Sequence, residues 1–324
     1  MVVVRAFAGV ALAGVAFSAA MATSPLIIAH RGASGHRPEH TVEAYTLAIE
    51  MGADVIEPDL VSTKDGVLIA RHEHEIGGTT DAAAKFPSRK TTKQIDGRPV
   101  TGWFTEDFTL AEIKSLRANE RLAFRSHDYD GRFQVPTFEE VIELASTKGR
   151  AAGREIGVYP ETKHPAYFRS IGLPLEERLV EIAKKHGLTS KTSPIFIQSF
   201  EPDSLKRLRP MTTARLVQLL DQNADASPAR LAEIAKYADG VGPNKLLILP
   251  VSADGLVQPP TTLVRDARAA GLFVHVWTLR REAQFLPKSY DGDPSREFKQ
   301  FAELGVDGIF TDFPDVGVAA LRQK

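Results

Sequence analysis

The chain has 324 residues, a formal net charge of −1 and no cysteine. The lack of cysteine excludes disulfides, thiolate chemistry, cysteine-ligated zinc and a lipid-bearing cysteine anchor. The balanced charge gives no global reason to expect nucleic acid or an anionic membrane surface as partner. Apolar content of 43% and charged content of 25% supply a globular core, and the length suits one α/β barrel or two ordinary domains.

Met1 to Arg5 carries one positive charge, Ala6 to Ala20 is uncharged and apolar, and Ala20-Met21-Ala22 offers small residues for cleavage. This is the layout of a secretory signal peptide over residues 1–22, since the apolar run is short for a membrane span of ~20 residues. The expectation is an exported mature chain, periplasmic or secreted, with no stable membrane anchor after cleavage.

Leu26-Ile27-Ile28-Ala29 is an unbroken apolar run that ends on His30, the pattern of a strand buried on both faces. Thr41 to Met51 has helical spacing, closed by Gly52, and Asp54 to Val61 follows as a second strand. Strand, polar loop, helix and strand form a βαβ unit with polar residues at the strand's C-terminal end. Asp65-Gly66 then signals a hairpin. A two-residue loop there would set Asp59 opposite His72, with Glu57 on the same face as Asp59.

From about residue 74 to 134 the rhythm stops. This stretch reads as an inserted segment after the third strand, polar, with at most one short helix near Phe108 to Leu116. Its basic cluster of Arg89, Lys90 and Lys93 reads as a solvated face. Alternation resumes at Thr137, where Thr137 and Glu140 form a capping box. Strands are expected near 156–159, 195–197, 216–219, 240–242, 273–277 and 308–311. Helices are expected near 137–146, 175–186, 205–208, 228–237, 264–270 and 298–304. The pattern favours one (β/α)8 TIM-type barrel over residues 23–324, with nine strand candidates for eight places. No Gly-x-Gly-x-x-Gly follows the first strand, which weighs against an open dinucleotide-binding sheet.

His30, Glu57, Asp59, His72, Glu161 and Lys163 all fall at C-terminal ends of expected strands, where barrel enzymes build their sites. Glu57, Asp59 and Glu161 are hard oxygen donors that suit Ca2+ or Mg2+. Without a cation, two acids ending an apolar strand would repel each other, so a metal is favoured over ion pairs with Arg31, Lys163 or Arg71. His30 and His72 titrate near neutrality and suit general acid–base work. Arg31 and Lys163 can hold phosphate oxygens. Gln198 is a further polar contact, while Trp277 alone reads as core. His36, His40, His74, His127, His164, His186 and His275 read as structural or exposed.

Ala29-His30-Arg31-Gly32, Pro38-Glu39, Gly52-Ala53-Asp54, Glu57-Pro58-Asp59 and Asp65-Gly66 through His72 resemble, in order and spacing, the signature of the glycerophosphodiester phosphodiesterases. Tyr159-Pro160-Glu161-Thr162-Lys163, Gln198-Ser199-Phe200, Val276-Trp277-Thr278 and Gly305 to Asp312 are similar to the later motifs of that family. With its leader and inserted segment the chain looks closest to the periplasmic bacterial type. The resemblance implies hydrolysis of glycerophosphodiesters such as glycerophosphocholine to glycerol 3-phosphate and an alcohol. It implies His30 and His72 as the acid–base pair and Glu57, Asp59 and Glu161 as ligands of one Ca2+ or Mg2+. Arg31 and Lys163 would be phosphate contacts, with Trp277 beside the glycerol or head group. Two positions depart from the family pattern: His40, usually Asn, and Glu73, usually Asp. The rival readings are a lysophospholipase D or sphingomyelinase D-like phosphodiesterase, and a non-catalytic glycerophosphodiester-binding protein.

Overall fold

The structure is a computed structural model that describes residues 24–95 and 97–322, so the leader at residues 1–22 lies outside the described residues. The strands are β1 (Leu26–His30), β2 (Val55–Glu57), β3 (Asp59–Ser62), β4 (Leu68–Ala70), β5 (Thr91–Ile95) and β6 (Arg98–Gly102). They continue with β7 (Gly157–Val158), β8 (Glu161–Thr162), β9 (Phe196–Ser199), β10 (Arg215–Leu220), β11 (Gly240–Pro243), β12 (Phe273–Leu279) and β13 (Gly308–Thr311). Two prolines organise the ring. Pro58 divides one strand into β2 and β3, and Pro160 divides another into β7 and β8, because proline has no N–H for the ladder.

The parallel pairings run from β1 through β2–β3, β7–β8, β9, β10, β11 and β12 to β13, and β13 pairs back onto β1. These pairings close the sheet into a ring. Helices such as Val42–Glu50, Leu175–Lys185 and Pro294–Glu303 connect the strands on the outside. Inside, Ile28, Val55, Tyr159, Phe196, Val217 and Phe310 form a buried cluster. His275 is buried against it, with Nδ1 at 3.0 Å from the Tyr159 hydroxyl, as its structural reading requires. These large side chains fill the barrel below the site.

The surplus strand is β4, which pairs antiparallel with β3 outside the ring. Its register differs from the sequence expectation by one residue. Leu60 pairs with Ala70 and Val61 with Ile69, and the Arg71 N–H donates to the Asp59 carbonyl at 3.0 Å. Arg71, not His72, therefore sits beside Asp59. The loop has three residues, Lys64, Asp65 and Gly66, closed by the Thr63 N–H on the Val67 carbonyl. Gly66 takes φ +77°, the left-handed position of a hairpin with a glycine bulge. The Thr63 hydroxyl donates to Asp65 Oδ1 at 2.6 Å and secures the longer loop.

Local capping explains the helices beside the site. Thr41 accepts from the Ala44 N–H and starts helix Val42–Glu50. Thr137 and Glu140 form the expected capping box of helix Phe138–Ala151, which contributes about 1 kcal/mol. Helix Pro294–Glu303 starts earlier than expected because Asp293 caps it and Pro294 occupies its first turn. A last helix, Pro314–Arg322, was absent from the sequence reading.

Between β4 and Phe138 the chain contains more structure than a polar loop. β5 and β6 form a two-stranded hairpin, and Leu110–Ser115 is a short helix with its own capping box. The hairpin escaped the sequence reading because most of its residues are exposed and polar and it carries no apolar alternation. The basic cluster is engaged by neighbouring side chains, with Lys90 over the Trp103 ring at 5.2 Å. Arg89 pairs with Glu112 at 2.9 Å, and Lys93 with Glu106 and Asp107 at 2.8 and 2.9 Å. No helix among the described residues is long and apolar enough to cross a membrane.

Candidate active site

Strand register assembles the polar residues. His30 ends β1 and pairs with Glu57 on β2; Asp59 on β3 pairs with Glu161 on β8; Glu161 pairs with Gln198 on β9. The two-residue strand period puts Glu57 and Asp59 on one face. Glu57, Asp59 and Glu161 are buried, and each offers a carboxylate oxygen within 4.8 Å of the others. Above them opens a cleft of about 320 Å³ at the C-terminal end of the barrel, lined by His30, Arg31, Glu57, His72, Glu161, Lys163, Gln198 and Trp277 among others. Asp59 lies just beneath it. A larger groove of about 460 Å³ lies at the opposite end, near Gly149 and Ile156, away from these residues.

The three carboxylates cannot all be ionised cheaply. Burial, then the nearby Asp59 and Glu161 charges, push Glu57 well above the usual range. Burial raises Glu161 to about 8, with Asp59 adding to the rise and Lys163 opposing it. Burial would raise Asp59 too, but Lys163, the His40 hydrogen bond, His72 and Arg31 hold it well below the usual range. A hard divalent cation fits this donor set, because it relieves the repulsion that otherwise loads two of the acids with protons. Gln198 adds a neutral group: its amide nitrogen donates to Glu57 Oε1 at 3.1 Å, and its buried Oε1 has no partner among the described residues.

Each cleft histidine has an acid behind it. His30 Nδ1 lies 2.6 Å from Asp312 Oδ1, and His72 Nδ1 lies 2.8 Å from Glu73 Oε1. A carboxylate at Nδ1 selects the tautomer protonated there and leaves Nε2 as the basic nitrogen. His72 Nε2 is 3.2 Å from the Lys163 ammonium, which itself pairs with Glu161 at 3.0 Å. Burial lowers His30 to about 4, with Arg31 assisting and Asp312 opposing. Burial, Arg31 and Lys163 likewise lower His72 to about 4. Both imidazoles are neutral in the free site at pH 7.

Arg31 takes φ +61° at the turn after β1. Its N–H donates to Glu57 Oε2 at 2.8 Å, and its guanidinium meets Glu39 Oε2 at 2.9 Å and Asp59 Oδ2 at 3.3 Å. Gly32 follows at φ +85°, where a Cβ would come within 2.7 Å of the Ala44 backbone. Trp277 is a wall of the cleft and not core: its indole N–H donates to the Gly242 carbonyl at 2.7 Å, and its ring stands perpendicular to Phe200 at 5.7 Å.

The sequence reading missed several supporting residues. His40, read as structural, is fully buried with Nε2 2.9 Å from Asp59 Oδ2 and Nδ1 2.8 Å from the Tyr45 hydroxyl, so it fixes a candidate metal ligand. Glu73 bridges His72 and His164, the latter at 2.9 Å, a span that the longer Glu side chain permits. Asp312 was quoted only within a motif, yet it holds His30 and also meets Arg280 Nε at 2.6 Å. Its position directly after β13 was the available signal. Arg71, weighed as a partner for the acids, lies within 3.5 Å of the Thr79 and 3.4 Å of the His40 carbonyls.

Residues 30–316 match the glycerophosphoryl diester phosphodiesterase family. The chain is 40% identical to a glycerophosphodiester phosphodiesterase of Arabidopsis thaliana, covering 89% of this chain and 84% of the relative. It is 33% identical to one of Haemophilus influenzae, covering 93% and 91%. Among solved structures, a phosphodiesterase of Oleispira antarctica in complex with sn-glycerol 3-phosphate superposes with a TM-score of 0.65 at 22% identity, covering 92% of this chain and 96% of that one. A glycerophosphoryl diester phosphodiesterase structure from Silicibacter pomeroyi gives 0.67 at 22% identity, covering 92% and 93%. At that identity the likeness establishes the TIM-type barrel fold.

Proposed function

The chain belongs to the glycerophosphoryl diester phosphodiesterase family and is a glycerophosphodiester phosphodiesterase, and on that premise we propose that His30 and His72 are its acid–base pair and that Glu57, Asp59 and Glu161 hold one Ca2+ or Mg2+. The observation that carries this reading is the convergence in one cleft of two acid-backed imidazoles, three carboxylates within 4.8 Å of one another and the cations Arg31 and Lys163.

Glu57, Asp59 and Glu161 would hold the divalent ion, which when bound would supply a fixed positive charge beside the phosphodiester. Arg31 and Lys163 bind the phosphodiester and add to that charge. The phosphodiester anion raises the pKa of the neighbouring imidazoles, so one of them is protonated in the complex. The neutral histidine takes the proton from the glycerol 2-hydroxyl as it attacks phosphorus. The protonated one delivers its proton to the departing alcohol oxygen. A cyclic glycerol phosphate results, and the reversed roles admit water to open it to glycerol 3-phosphate. Asp312 and Glu73 hold each imidazole in one tautomer through the cycle.

Glycerophosphocholine is the proposed test substrate, with Trp277 and Phe200 beside the glycerol or head group. An analogue lacking the glycerol 2-hydroxyl tests the mechanism. It should bind and inhibit without being cleaved; cleavage at the rate of the parent substrate would exclude attack by that hydroxyl.

A lysophospholipid-cleaving reading draws on one feature of the rim. Phe124 is exposed and packs at 6.0 Å from Phe285, a residue of the cleft wall. The leader pattern at residues 1–22 supports export of the mature chain and a place in the periplasmic bacterial branch, although the relatives include a plant protein. On this reading residues 74–134 are an insertion that borders the cleft.

A further inference from the structure

From the segment between β4 and helix Phe138–Ala151, Arg125 reaches into the barrel rim, and all three nitrogens of its side chain are used. Arg125 Nη2 lies 2.5 Å from Asp312 Oδ2, Nε donates to Glu282 Oε1 at 2.8 Å, and Nη1 donates to the Ser34 carbonyl at 3.0 Å. The guanidinium is almost fully buried, and the Phe313 ring lies 5.6 Å from its centre. Its three partners belong to different loops. Ser34 follows β1, Glu282 follows β12 and Asp312 follows β13, and these three strands are consecutive in the ring.

Two of those partners reach His30. Asp312 Oδ1 holds His30 Nδ1 at 2.6 Å, and the Ser34 hydroxyl donates to the His30 carbonyl at 2.8 Å. Asp312 divides its oxygens: Oδ1 serves the imidazole, and Oδ2 takes Arg125 and Arg280. A buried carboxylate with two cations on one oxygen is pinned in rotation, so its other oxygen has a fixed direction. We infer that Arg125 is a positioning residue for the hydrolytic reaction: it clamps the loops after β1, β12 and β13 and aims Asp312 at His30. The inference rests on the assignment of His30 to the acid–base pair.

Chemistry makes the residue type specific. A guanidinium is a planar fork that can serve a carboxylate, a second carboxylate and a carbonyl at once, whereas an ammonium is a point charge. Charge alone is therefore insufficient at this position. Arg132 of the same segment is the contrasting case, being exposed over the Tyr129 ring at 5.5 Å.

The experiment uses the full mature chain in Arg125→Ala, Arg125→Lys and, as a control, Arg132→Ala. Glycerol 3-phosphate release, divalent-ion affinity by calorimetry and melting temperature are measured for each. Arg125→Ala should lower kcat by on the order of 100-fold, the usual cost of a misplaced catalytic group. KM and ion affinity should stay within about threefold, because neither the phosphate contacts nor the three carboxylates are touched. Millimolar guanidinium should restore part of kcat and methylammonium should not. Arg125→Lys should lose nearly as much as Arg125→Ala, and Arg132→Ala should match the wild type. If Arg125→Ala does not fold, Arg125→Lys decides the matter by the same readouts. Wild-type kcat in both Arg125 variants, or equal losses in kcat, KM and ion affinity, would overturn the inference. An inactive wild-type protein would instead overturn the functional reading on which it rests.

Discussion

His40 Nε2 lies 2.9 Å from Asp59 Oδ2, and both groups are buried. Burial keeps the imidazole neutral, so it carries one N–H. If that proton is on Nε2 it donates to Asp59, and Nδ1 accepts from the Tyr45 hydroxyl at 2.8 Å. A candidate metal ligand is thus held from behind by a buried imidazole. His40→Ala is expected to weaken Ca2+ or Mg2+ binding by roughly 10- to 100-fold, the usual effect of removing an outer partner. Tyr45→Phe should weaken it less. Calorimetric titration of each variant checks this, and unchanged affinity in His40→Ala would remove the residue from the site.

The two histidine–acid pairs differ in their surroundings. Asp312 is buried among His30, Arg125 and Arg280, whereas Glu73 is about half exposed. Asp312→Asn is expected to lower kcat by roughly 100-fold or more, since it destroys the tautomer selection at His30. Glu73→Gln should cost less than about tenfold, because water can replace the lost oxygen. Steady-state kinetics of both variants decides the order. Equal losses would mean that burial of the acid is irrelevant to its role.

The acids also make ion binding depend on pH. Burial holds the Glu161 carboxyl near 8, against an ordinary value of 4.5, and Glu57 is raised as well. A carboxyl raised on folding stabilises the ion-free protein below its unfolded pKa, and that contribution disappears as pH climbs through the folded value. Between about pH 4.5 and 8 the ion-free protein should lose stability from this source, and a divalent ion should restore it. The rise in melting temperature on adding saturating Ca2+ or Mg2+ should be small at pH 5 and about 5 °C or more at pH 8. Equal rises at both pH values would contradict the three-carboxylate site.

Trp277 and Phe200 form an aromatic corner of the cleft. Trp277→Ala is expected to raise KM for glycerophosphocholine by roughly 10-fold with a smaller change in kcat, as loss of ground-state binding would. Kinetics with glycerophosphoglycerol alongside shows whether the ring reads a cationic head group. If KM is unmoved for every substrate, the ring does not touch the bound molecule.

Much of this organisation was legible in the sequence for identifiable reasons. Buried parallel strands appear as continuous apolar runs, so Ile27, Ile28 and Ala29 announced β1, and the polar residue after each run marked its C-terminal end. The two-residue spacing of Glu57 and Asp59 announced a shared face, and Pro58 between them was the only hint that the strand divides. The β3–β4 register was not legible, because Asp65-Gly66 suits a two-residue loop and a three-residue loop with a glycine bulge equally well. The supporting acid of His30 lies 282 residues away, and Arg125 lies 187 residues from Asp312. No local pattern encodes such a contact; closure of the ring creates it. His40 was hidden for a different reason, since its role depends on the inward direction of one loop residue at φ +56°.

The most direct test of the account is glycerol 3-phosphate release from glycerophosphocholine by chelator-treated protein, before and after Ca2+ or Mg2+ is restored. The account predicts that the chelator abolishes release and that one of the two ions restores it, in the wild type but not in Glu57→Gln or Glu161→Gln. Release that survives the chelator, or that both carboxylate variants retain, would contradict a metal held by Glu57, Asp59 and Glu161.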